Sequence, residues 1–133
     1  MLSEDQMVKV IRAAQGAARR AIEATYFGSL SVTEQRKVKD EKSKLTKTES
    51  VIVLENQPCK LSFETVTAAA ASDTAAAVTQ ITKLFVSPDI LIKPGAKITV
   101  TQDGITTDYT RSGVPARYPT HQEIMLELFE RWA

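Results

Sequence analysis

Apolar and polar positions alternate with period two across Lys97-Ile98-Thr99-Val100-Thr101-Gln102, and again across Ile105-Thr106-Thr107-Asp108-Tyr109. Side chains on a strand point alternately to opposite faces, so Ile98 and Val100 share one of them. Between the two runs lies Asp103-Gly104. That dipeptide suits a type I′ turn, whose two central residues both take φ > 0 and whose twist matches paired strands. The stretch predicts a β-hairpin. Pro94-Gly95 marks a second turn just ahead and separates the hairpin from Ile90-Leu91-Ile92.

The N-terminal pattern has a different period. Met7, Val10, Ile11, Ala14, Ala18, Ala21 and Ile22 recur near helical spacing, which predicts a helix over residues 3–25. Ser3 is placed to cap its first turn, and Glu4 and Asp5 sit where the helix dipole favours negative charge. The apolar stripe is shallow because much of it is alanine, and Gly16 costs about 1 kcal/mol against alanine in a helix interior. Arg12, Arg19 and Arg20 take the remaining surface. They make either a solvated arginine face or part of a docking helix for a larger assembly. From Tyr26 to Val32, aromatic and β-branched residues predict a short strand, with Gly28 at its entry or at a bulge.

Residues 34–49 are the most polar segment. Over 36–47 within it, Arg36, Lys37, Lys39, Lys42, Lys44 and Lys47 outnumber Asp40 and Glu41, and only Val38 and Leu45 offer an apolar anchor. A mobile loop or an extended hairpin fits this composition. Its charge is either a solvated surface or a basic loop offered to a polyanion, since neutralising phosphate takes several cations and no fixed geometry. No aromatic residue is interleaved, so base stacking has no support there.

Residues 50–65 read as two strands joined at Glu55-Asn56-Gln57-Pro58. Val51-Ile52-Val53-Leu54 has the continuous apolar run of a strand buried on both faces. Cys59, Leu61 and Phe63 alternate with polar residues and point inward, which makes Cys59 a small buried hydrophobe. Residues 66–77 hold seven alanines around Ser72-Asp73, as either a helix restarted there or a mobile excursion. Strand character returns over 78–86 and ends at Pro88, and residues 111–115 turn around Gly113. Residues 121–132 remain open. As a strand, Ile124, Leu126 and Leu128 face inward. As a helix, Ile124, Met125, Leu128, Phe129 and Trp132 form an equally good stripe behind a Thr120 cap. Local propensity leans to the helix, and closing a small sheet needs the strand.

Composition narrows the classes. A chain of 133 residues with 43% hydrophobic and 25% charged content has the size and make-up of one globular domain. Seventeen Lys and Arg against sixteen Asp and Glu give no global case for nucleic-acid binding, so any such role would be local. A single cysteine excludes an internal disulfide and a cysteine zinc site. The acidic N-terminus and the lack of an apolar run of about 20 residues read as cytosolic, with no membrane partner. Cys59 and His121 are the one nucleophile-and-base pair available, and their spacing carries no catalytic signature. The glycines are isolated turn glycines, not a phosphate loop. The expectation is a scaffold without catalytic residues, metal or cofactor.

The run Pro58-Cys59-Lys60-Leu61-Ser62, then Lys83-Leu84-Phe85, Pro88-Asp89-Ile90 and Gly95-Ala96-Lys97-Ile98-Thr99-Val100, resembles a phage structural family. Asp103-Gly104, Tyr109, Arg111-Ser112-Gly113, Tyr118 and His121-Gln122-Glu123 continue the resemblance, which covers residues 50–133 with a weaker echo at 26–33. The family is that of siphophage head-completion proteins, the head-closure, stopper or minor capsid proteins of the head-to-tail connector. The resemblance implies a mainly β fold, a small antiparallel β-barrel over 26–133 after an N-terminal helix over 1–25, with a mobile basic loop. It further implies assembly in the host cytoplasm into a virion ring of about six or twelve copies. Its implied partners are portal or adaptor proteins, tail-terminator or tail proteins, and packaged double-stranded DNA faced by the loop at 36–47. The N-terminal helix, longer and richer in Ala and Arg, departs from that pattern. An adaptor, a tail terminator and a small oligonucleotide-binding barrel are the alternatives.

Overall fold

The computed structural model describes residues 1–68 and 77–132. One helix, α1 (Glu4–Glu23), precedes the strands β1 (Gly28–Lys39), β2 (Thr46–Ala68), β3 (Ala77–Val86), β4 (Lys97–Gln102), β5 (Ile105–Arg111), β6 (Ala116–Arg117) and β7 (Gln122–Leu128). All strand pairs are antiparallel, and they close on themselves in the order β1-β2-β3-β7-β5-β4 and back to β1. The expected mainly β fold with an N-terminal helix is what forms, as a closed, barrel-like sheet. Closure depends on β7. One edge of it takes β3 over residues 122–126, and the other takes β5 through three pairs, from Arg111↔Leu126 to Tyr109↔Leu128.

Period-two alternation fills the interior. Leu30 and Val32, Cys59 and Leu61, Leu84 and Val86, Ile98 and Val100, and Ile124 and Leu126 each supply two buried side chains from one strand. Burying each large apolar side chain is worth about 1.5–3 kcal/mol. The loop after β3 adds Ile90 and Ile92, held down by two polar side chains. Gln122, fully buried, donates from Nε2 to the carbonyls of Ser87 (3.1 Å) and Ile90 (2.8 Å), and Arg111 Nη1 donates to Ile92 O at 2.7 Å. The β4–β5 hairpin forms as its sequence predicts, with φ of 52° at Asp103 and 75° at Gly104.

Four sequence expectations give way to the three-dimensional context. Residues 50–65 are one strand, not two. The turn expected at 55–58 is a distortion of β2, where Asn56 takes φ 51° and the β1–β2 register slips twice, at Leu30/Val32 and Val32/Thr33. The run 51–54 is not buried on both faces, because Ile52 lies outside the barrel and is 56% exposed. Phe63, expected inside, is also exposed. The β1 wall starts at Gly28 opposite Cys59, so β1 does not extend over Phe63, which lines an open cleft with Gln102, Ile105 and Tyr109. Leu128 is exposed at the last β5–β7 pair. The open choice at 121–132 resolves to strand β7, since only a strand bridges β3 to β5. The helix or mobile excursion considered for 66–77 lies outside the described residues at 69–76, and its flanks belong to β2 and β3.

Gly28 is where β1 meets the barrel most tightly. A Cβ there would stand 3.0 Å from Cys59 O and 3.2 Å from Gln102 Oε1, the atom that accepts from Leu61 N. Gly28→Val should therefore lower stability by about 1–3 kcal/mol, the usual cost of overpacking. Urea denaturation checks this, and an unchanged midpoint would contradict it.

Candidate interaction surface

The basic segment is an extended hairpin. β4 pairs with β1 from Ser29↔Thr101 only as far as Thr33↔Lys97, whereas the β1–β2 ladder continues from Glu34↔Val51 to Lys39↔Thr46. Beyond Thr33 the two strands therefore leave the closed sheet as a two-stranded ribbon. Asp40 tightens its tip, with its backbone N–H donating to Leu45 O (2.9 Å) and its carboxylate accepting from Lys42 N (3.0 Å) and Ser43 Oγ (3.1 Å). Residues 35–39 and 41–50 are exposed. At the base, a cleft of about 290 Å³ is lined by Glu34, Arg36, Lys93, Gly95 and Trp132.

Register divides the charge between two faces, a distinction that a count of cations misses. Paired residues share a face, so Gln35, Lys37 and Lys39 lie with Ser50, Thr48 and Thr46. That face carries two lysines, hydroxyl groups and no carboxylate. The other face sets Arg36 opposite Glu49 and Val38 opposite Lys47, with Glu34 Oε1 at 3.6 Å from Arg36 Nη2, and is neutral in sum. Lys42 and Lys44 share the tip with Asp40 and Glu41. All six predicted cations thus sit on one projecting element, and its excess positive charge lies on the Lys37/Lys39 face.

Helix α1 begins with a full capping box between Ser3 and Gln6, yet it buries no residue. It is tied to the barrel by hydrogen bonds, and near its end the half-buried Ile22 lines a cleft with Tyr26, Phe85 and His121. Arg19 Nη2 donates to Ser87 Oγ (2.7 Å) and Asp89 Oδ2 (2.8 Å), and its Nε donates to Glu23 Oε1 (2.9 Å). Of the three arginines, Arg19 holds the helix to the loop after β3, while Arg12 and Arg20 meet solvent. Met7, Val10, Ile11, Ala14, Ala18 and Ala21 are exposed.

No protein-family model and no curated protein matches the chain. Among solved structures it is similar to the xkdH protein of the phage-like element PBSX from Bacillus subtilis. That likeness has a TM-score of 0.41 at 8% identity and covers 76% of this chain and 90% of that one. A likeness of this size carries no argument about function.

Cys59 and His121 occupy separate settings. Cys59 is fully buried in the core, and burial pushes its thiol up to about 12, away from the thiolate. His121 lies against the Tyr118 ring with centroids 4.8 Å apart, and both its nitrogens have partners. A carboxylate only accepts, so His121 Nε2 donates to Glu123 Oε2 (2.9 Å), while Nδ1 shares a hydrogen bond of 2.9 Å with Thr120 Oγ1. Lys83 Nζ lies 3.2 Å from the other Glu123 oxygen. The His121 hydrogen bond, and then Lys83, hold the Glu123 carboxyl below its ordinary range. A carboxylate depressed in the folded state adds stability above its unfolded pKa of about 4.3 and loses it as pH falls through the folded value. Glu123→Gln should therefore flatten the loss of stability below about pH 4, read as urea midpoints against pH. An unaltered acid slope would count against the pairing.

Proposed function

We propose that this chain is a structural component of a phage head-to-tail connector. It would act as a head-closure protein, forming a ring below the portal or adaptor, retaining packaged DNA and offering the tail its attachment surface. The observation that carries the reading is the basic ribbon that leaves a closed barrel-like sheet, over the residues 36–47 for which the resemblance implies a DNA-facing loop. The residues of that resemblance are largely framework here. Cys59, Leu61, Leu84, Ile98 and Val100 are core, Asp103-Gly104 is the hairpin turn, and Gln122 pins the loop after β3.

The mechanism makes and breaks no bond. A rigid barrel holds the ribbon, and a ring sets many ribbons around one axis. Weak contacts then add through avidity once a connector has pre-assembled beneath the portal. DNA would meet Lys37, Lys39, Lys42 and Lys44 through its phosphates alone, so contact is independent of sequence and weakens with salt.

Replacing Lys37, Lys39, Lys42 and Lys44 together with glutamine should leave the fold intact, because all four are exposed. Heads assembled with this variant should leak DNA. In solution, Lys37→Gln with Lys39→Gln should reduce the slope of log affinity against log salt for duplex DNA by about 2. Arg36→Gln with Lys47→Gln should change it less, since that face carries Glu34 and Glu49. Heads that keep their genomes and join tails normally would refute the role given to the ribbon.

A further inference from the structure

Helix α1 is mounted with its polar side on the barrel. At 100° per residue, Met7, Val10, Ile11, Ala14, Ala17, Ala18 and Ala21 fall within an arc of about 120°. Arg19 and Glu23, the residues that tie the helix down, lie on the opposite side. Met7, Val10 and Ile11 are 51%, 56% and 51% exposed. An amphipathic helix ordinarily buries its apolar stripe against its own core, and this one presents it outward.

The stripe is graded in size, with Met7, Val10 and Ile11 in its N-terminal half and Ala17, Ala18 and Ala21 in its C-terminal half. We infer that α1 pairs antiparallel with α1 of a second copy of this chain, crossing at Ala14. This arrangement sets Met7 against the partner's Ala21, Val10 against the partner's Ala18, and Ile11 against the partner's Ala17. Every large side chain meets a small one, which lets the helices approach closely and interdigitate. The helix dipoles oppose, which favours this direction. A parallel pair would stack large on large and acid on acid.

The contact is weak. Two helices of about 30 Å meeting over a strip roughly 10 Å wide fall short of the ~800 Å² per partner of standard interfaces. A two-fold contact is also isologous and does not propagate around a cyclic ring. The pairing therefore belongs to the free protein and opens on assembly, and it stands or falls independently of the head-closure reading.

Single cysteines in the full chain test it, because the native Cys59 is fully buried. With a short bis-maleimide at high protein concentration, Ala14→Cys should yield a cross-linked dimer. A mixture of Met7→Cys and Ala21→Cys should do the same. Met7→Cys alone should not, because the two copies of residue 7 would be about 21 Å apart. Adding Val10→Glu and Ile11→Glu to Ala14→Cys should abolish the product while circular dichroism shows the fold retained. Cross-linking of Met7→Cys alone, absence of product from Ala14→Cys, or a product that survives the two glutamates would each overturn the proposal.

Discussion

A β-strand has two edges, and each backbone amide along them needs a partner or water. β2 runs for 23 residues, about 75 Å if straight, and no single neighbour spans it. β1 pairs with residues 46–59 and β3 with residues 59–68, so the partners meet near Cys59 on opposite edges. Their stagger forces the architecture. The middle of β2 becomes barrel wall, where β4 and β7 extend the sheet beyond β1 and β3. Its two ends have one partner each and become two-stranded extensions, the basic ribbon at one end and residues 64–68 with 77–81 at the other.

That division separates the packed core from the projecting surface. The core is apolar and alternates strictly, with Gln102 and Gln122 spending their amides on backbone groups where strands or loops would otherwise gape. Exposed charge and exposed apolar surface lie outside it, on the Lys37/Lys39 face of the ribbon and on the outward stripe of α1. Each projecting element is secured by polar contacts at its base. Arg19 ties α1 to Ser87 and Asp89, and Glu34, 13% exposed in its side chain, lies 4.0 Å from Lys93 at the root of the ribbon.

Local chemistry was legible where it dictates one conformation. Asp103-Gly104 demanded positive φ twice, Ser3 demanded a cap, and the alternation around Cys59 and Val100 named core residues correctly. What escaped the sequence was decided by neighbours. Asn56 and Pro58 are turn formers, yet Pro58 sits in a ladder opposite Ser29 because β1 supplies a continuous partner and bulges absorb the misfit. Residues 122–128 favour a helix in isolation and become strand β7 because the sheet otherwise stays open. Phe63 alternates correctly but lies past the end of the β1 wall. The cations of 36–47 were identifiable as a cluster, while their division between two faces needed the register.

We propose that the ribbon is an interaction element outside the folding unit. Excising residues 36–49 and joining Gln35 to Ser50 through Asn-Gly tests it directly, since those residues are already paired and that dipeptide favours a tight hairpin turn. Thermal unfolding and duplex-DNA binding would be measured on the same protein. The excised protein should form a folded barrel with its melting transition nearly unchanged and its DNA affinity lost. An excised protein that fails to fold, or that binds DNA as the full chain does, would contradict it.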